Sequence, residues 1–75
     1  MRTLDELAVG ASAQVVAVVG DDQIALRLLE MGILEGEPVE LIGRAPWGDP
    51  LDVRVRGYRV SIRRTEAQRV QLADG

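Results

Sequence analysis

Asp21–Gly36, DDQIALRLLEMGILEG, is the stretch around which the rest of the chain must be arranged. It reads as one short helix, over about 21–31, with its own start and stop. Asp21 or Asp22 can cap it, because a carboxylate accepts the backbone N–H groups that lack partners in a first turn. Gly32 can end it, because a left-handed residue at that point costs glycine nothing. With Asp22 at 0° and about 100° per residue, Ile24, Leu28 and Met31 fall near ~200°, ~240° and ~180°, with Ala25 near ~300°. Gln23, Arg27 and Glu30 gather between about 80° and about 140°. The helix therefore has one apolar face. Leu26, at about 40°, lies on the polar side, and Leu29 lies at the edge. A leucine out of place is a hint of a contact surface, although single exposed leucines are common.

Working outward, the stretch sits in a chain of 75 residues, enough for one small domain. A chain of this size buries only about 60–65% of its unfolded surface, so its core is marginal. There is no cysteine, so neither a disulfide nor a thiolate metal site can help. With no Phe, one Trp and one Tyr, the core must be built from Val, Leu, Ile and Ala. The apolar runs are too short to cross a bilayer, and the opening MRTLDEL lacks the apolar segment of a signal peptide. A cytoplasmic chain with no direct membrane insertion is expected. Net charge is −3 and unevenly placed. Residues 1–40 hold eight acids against two arginines, whereas residues 41–75 hold seven arginines against four acids.

Upstream of the helix, Thr3-Leu4-Asp5-Glu6 has the form of a capping box and predicts a helical turn near 3–8. SAQVVAVV over 12–19 is rich in β-branched residues and bounded by glycines, so it predicts a central, largely buried strand. Downstream, Val39 and Leu41 alternate with Pro38, Glu40 and Ile42 as in a half-buried strand. Residues 45–50 form a loop punctuated by Pro and Gly. Leu51 to Arg56 and Arg59 to Arg64 predict a hairpin turning at Gly57-Tyr58, with Val55 opposite Val60 and Val53 opposite Ile62. Its other face would pair Asp52 with Arg63 and Arg56 with Arg59, the latter a like-charge pair. Thr65-Glu66-Ala67-Gln68 repeats the capping logic and predicts a turn at 65–68. Val70 and Leu72 alternate as a closing strand would. The expected fold is mainly β: a small five-stranded SH3-like barrel with one inserted helix, in a single domain over 1–75.

The catalytic inventory is poor. There is no His, Cys or Lys, so Ser12, Ser61, Thr3 and Thr65 lack an activating base. The pairs Asp21-Asp22 and Asp5-Glu6 are read as helix caps, and phosphate-cradling glycine loops are absent. No cofactor and no enzymatic activity are expected. A metal site would have to be all oxygen, suited to Mg²⁺, Ca²⁺ or Mn²⁺. Glu35, Glu37 and Glu40 cluster in sequence; they read as a solvated strand edge, with weak divalent metal binding as the alternative. Arg54, Arg56, Arg59, Arg63 and Arg64 could form a basic strip. The acidic whole and its two aromatics argue against nucleic acid and for a salt-bridged barrel face, with an acidic protein partner as the other reading. Trp47, in the Pro/Gly loop, either packs over a barrel end or anchors a partner.

The run Arg27-Leu28-Leu29-Glu30-Met31-Gly32-Ile33-Leu34-Glu35-Gly36 resembles the RLxxMGhxxG signature of the FeoA family. Leu4-x-x-Leu7-x-x-Gly10 is similar to that family's opening, and Ala45-Pro46-Trp47-Gly48-Asp49-Pro50 resembles its APxGDP loop. Gly57 to Arg63 and the Glu66-Ala67 step resemble its last hairpin and closing turn. The similarity runs from Thr3 to Leu72. It implies an SH3-like domain that acts with FeoB, a membrane permease carrying a cytosolic GTPase domain, and supports ferrous iron uptake without carrying iron. It also implies kinship with the C-terminal domains of iron-dependent repressors and a label of transition-metal binding, which makes a metal-sensing domain the alternative function. No helix-turn-helix precedes the barrel here to support a repressor. The expected partner-facing residues are Leu26, Arg27, Glu30, Trp47 and Asp49, and pairing of the domain with itself is a further reading.

Overall fold

Residues 2–73 are described in a computed structural model of the chain. Of the single domain expected over 1–75, residues 1, 74 and 75 lie outside the described residues. Strand β1 (Arg2–Thr3) leads into a 3₁₀ turn (Leu4–Glu6), β2 (Ser12–Val18), helix α1 (Gln23–Glu30), β3 (Pro38–Arg44), β4 (Leu51–Val55), β5 (Tyr58–Ile62), helix α2 (Arg64–Ala67) and β6 (Val70–Leu72). The strands form one antiparallel sheet in the order β1-β6-β2-β3-β4-β5. The five expected strands are all present. The sixth, β1, pairs Arg2 with Leu72 and Thr3 with Gln71, and two residues are too few to show a pattern in sequence.

Strand β2 bends the sheet round its core. Its first residues, Ser12 to Gln14, pair with β3, and Val15 to Val18 pair with β6 across a register shift. One strand thus serves two neighbours in succession, as bulged strands at barrel corners do. The strand is central, as expected, but it is not largely buried. Only Val15 is fully covered, because one face alone looks on the core. Leu41 and Val39 from β3, Leu51, Val53 and Val55 from β4, Ile62 from β5 and Leu72 from β6 fill the interior with Leu4 and Leu7. Arg44 pins the opening turn over this core, donating to the carbonyls of Asp5 and Leu7 at 2.9 Å each. Inside that turn, Glu6 accepts the Thr3 N–H at 2.8 Å, the reach-back of a capping box.

Helix α1 obeys the periodicity of its sequence. Leu28 and Ala25 are buried, and Ile24 and Met31 pack against the core from its rim. Asp22 caps the helix by accepting the Ala25 N–H at 3.2 Å. The other end closes as a Schellman motif: Gly32 N–H donates to Leu29 at 3.0 Å and Ile33 N–H to Leu28 at 3.2 Å. Gly32 takes φ +97, the left-handed geometry that this closure requires. Ile33 and Leu28, both fully buried, meet as the motif's apolar pair.

Asp22 also accepts from Arg69 Nη1 at 2.5 Å, which ties the head of α1 to the approach to β6. That guanidinium first, and the Ala25 N–H second, hold the Asp22 carboxyl down at about 2 from an ordinary 3.8. A depressed carboxyl adds stability above its unfolded pKa and loses it as pH falls through its folded one. Asp22→Asn, which keeps a capping oxygen but not the charge, should therefore melt below wild type at neutral pH. The gap should close as pH falls from 3.8 to about 2, followed by thermal unfolding in far-UV circular dichroism.

The hairpin turns one residue earlier than expected. Val55 pairs with Tyr58, Val53 with Val60 and Leu51 with Ile62, so Arg56-Gly57 is the two-residue loop. Both loop residues have positive φ, +54 and +82, the signature of a type I′ turn rather than II′. The register moves by two, so every side chain keeps its face and the core is unchanged. The charge pairs do change. Arg54 now faces Arg59, and each is neutralised from its far side: Arg59 by Asp52, and Arg54 by Glu40 at 3.6 Å. The Arg59 guanidinium holds the Asp52 carboxyl below its ordinary range.

Candidate partner-docking surface

One groove of about 530 Å³ runs where α1, the loop after β3, β5 and α2 converge. Helix α1 contributes Arg27, and its C-cap contributes Met31. The loop contributes Asp49 and Pro50, joined by a cis peptide bond. Ser61 stands at the end of β5, and Arg63 and Glu66 come from the entry and first turn of α2.

Glu66 organises this region. It is 5% exposed, the one buried charged residue among those described. Its carboxylate accepts the Arg63 N–H at 3.0 Å, capping α2, and pairs with the Arg27 guanidinium of α1. The expected turn at 65–68 is thus realised as Arg64–Ala67. Arg63 stands at its N-cap and has no side-chain oxygen to offer, so Glu66 reaches back and Asp49 reaches across. Asp49 accepts the Arg64 N–H at 2.9 Å.

Of the five expected partner-facing residues, the structure brings Arg27 and Asp49 into this groove. Glu30 joins Arg27, Gln23 and Ile24 in an adjoining recess of about 250 Å³. Leu26 lines neither, yet it is 53% exposed, and Leu29 is 42% exposed. Trp47 does not pack over a barrel end. It is 91% exposed at the tip of a loop closed by Gly48 N–H to Ala45 at 2.7 Å and Ala45 N–H to Pro50 at 3.1 Å. Sequence reasoning missed Glu66, Ser61 and Arg63 as neighbours of Arg27. The available signal was the three-residue spacing of Arg63 and Glu66, a capping-box spacing headed by a residue that cannot itself cap.

Among the described residues, no group of three or more acidic side chains is placed to hold a metal ion. Glu35 is exposed, Glu37 half-buried, and Glu40 is paired with Arg54. No described helix is long and apolar enough to cross a membrane.

Comparison with known proteins gives this surface a context. The FeoA domain matches residues 2–74. A fusion protein of Porphyromonas gingivalis, described as Fe(2+) transport protein A/Fe(2+) transporter FeoB, is 36% identical over 69 residues. The match covers 92% of this chain and only 8% of that protein. The crystal structure of Stenotrophomonas maltophilia FeoA complexed with zinc, described as an SH3 domain protein, is 39% identical with a TM-score of 0.86, covering 97% of this chain and 91% of that one. A manganese-dependent transcriptional repressor shares the fold at 19% identity and a TM-score of 0.86, over 96% of this chain and 35% of its own. The family is not a catalytic one. With an SH3-like sheet, one inserted helix and the family's domain pattern running through all the described residues, the chain belongs to the FeoA family.

Proposed function

We propose that this chain is a non-catalytic accessory protein of ferrous iron uptake, which docks from the cytoplasm on an FeoB-type GTPase permease. The observation that carries this reading is the fused relative, in which a segment similar to this chain shares one polypeptide with an Fe(2+) transporter. Covalent linkage raises the effective concentration of two modules, as suits partners that work in contact. The solvated Trp47, Leu26 and Leu29 support the reading, since exposed aromatic and apolar side chains anchor protein interfaces.

The test is binding of the chain to the permease in lipid nanodiscs, measured by biolayer interferometry. Wild type should associate. Leu26→Asp and Trp47→Ala should each weaken the complex by about tenfold or more, the cost of losing an interface anchor. No association of wild type with the full permease overturns the proposal. Unchanged binding by both variants moves the interface elsewhere on the domain.

A further inference from the structure

The two ends of the sheet differ. At one end β1 is only 2 residues long. At the other, β5 is 5 residues long, pairs with β4 alone and has no strand beyond it. Val55 and Tyr58 flank the two-residue turn and so form a hydrogen-bonded pair. Pairs then alternate along the ladder. Val53–Val60 and Leu51–Ile62 exchange bonds, whereas Arg54–Arg59 and Asp52–Ser61 do not. The main-chain N–H and C=O groups of Arg59 and Ser61 therefore point away from β4, and no backbone bond from a loop or another element takes them up. Past Ser61 the edge closes, because the Arg63 N–H goes to Glu66 and the Arg64 N–H to Asp49. Tyr58, Arg59 and Ser61 are all exposed, and neither a proline nor a bulge guards the strand.

We infer that this edge pairs with the same edge of a second copy of the chain, antiparallel about a two-fold axis through Val60. The inference is independent of the docking reading above. A free edge names its ligand by its own chemistry, an extended backbone that offers the complementary N–H and C=O groups. The residues of β5 fit it to its own copy in one register. Centred on Arg59, the strands would set Arg59 against Arg59. Centred on Ser61, they would set Arg59 against Arg63. Centred on Val60, they set Arg59 against Ser61 on one face and Val60 against Val60 on the other, so no like charges are opposed. In that register each Arg59–Ser61 pair exchanges both main-chain bonds. Arg59 brings little unspent charge, because Asp52 neutralises it. Arg56, Arg63 and Arg64 have no ion-pair partner among the described residues, so the copies repel through them and added salt should tighten the dimer. The contact is small, which places its dissociation constant at about 0.1–1 mM.

The test is sedimentation equilibrium of the full chain from about 20 µM to about 2 mM, with residue-resolved amide exchange by NMR at both ends of that range. EDTA in the buffer removes any metal bridge between copies. Wild type should pass from monomer to dimer. The Arg59 and Ser61 amides should gain about threefold protection at the higher concentration, while those of Val60 and Ile62, already bonded to β4, stay level. Ser61→Pro removes an outward donor but no bond to β4, so it should stay folded and monomeric throughout. Ser61→Arg gains a favourable partner in Asp52 within its own chain and opposes Arg59 of the other copy. It should weaken the dimer about fivefold without lowering the melting temperature. A monomer at every concentration overturns the inference. So does a dimer that Ser61→Arg leaves unchanged, that salt weakens, or whose added protection falls on other amides.

Discussion

Leu28→Ala should be the most damaging single truncation in α1, lowering stability by about 3–5 kcal/mol. Leu28 is fully buried, sits in the last turn of the only long helix described, and supplies the carbonyl that accepts the Ile33 N–H. Its removal leaves a void against Ile33 at the point where the chain re-enters the sheet. A domain of this size has only about 4–11 kcal/mol of stability in total, at about 0.05–0.15 kcal/mol per residue. The midpoint should therefore fall by about 15 °C or more in a far-UV circular dichroism melt. Leu26→Ala and Leu29→Ala, on the exposed side of the same helix, should change it by only about 0.5 kcal/mol. Equal losses at all three leucines would mean that α1 does not bury the face described.

Glu66→Ala is the second. Its carboxylate is buried and serves a backbone N–H of one helix and a guanidinium of another. Losing the cap costs about 1 kcal/mol. The void left by its buried methylenes adds about 1 kcal/mol more. The ion pair adds little, because the Arg27 side chain is 53% exposed and screened by water. A total of about 2 kcal/mol is expected by urea unfolding. Glu66→Gln, which keeps the capping oxygen and the methylenes, should lose only the ion-pair contribution, about 0.5 kcal/mol. If Gln is as harmful as Ala, the ion pair and not the cap dominates.

Much of this fold is legible in the residues. Asp22, Gly32 and the spacing of Ile24, Leu28 and Met31 announce α1, because caps and periodicity are local properties. The alternating Val and Leu of β3 and β4 announce the core for the same reason. The hairpin turn is less legible. Gly57 can serve as either central residue of a two-residue loop, and nothing local advertises that Arg56 will accept a positive φ. Since the two registers differ by an even number, the apolar face is insensitive to the choice, whereas the pairing of Arg54, Arg59 and Asp52 depends on it. The groove is the least legible part. Arg27, Asp49 and Glu66 are remote in sequence, and only the folding of the loop after β3 against α2 makes them neighbours.

The exposure of Trp47 has a practical corollary. The chain has one tryptophan, and its indole is 91% exposed in the folded domain. Unfolding cannot wet a ring that is already wet, so its fluorescence should pass almost silently through the melting transition. Covering the ring moves its emission to shorter wavelength. The protein therefore carries an internal dye that ignores its own stability and reports when another surface settles over the Trp47 loop.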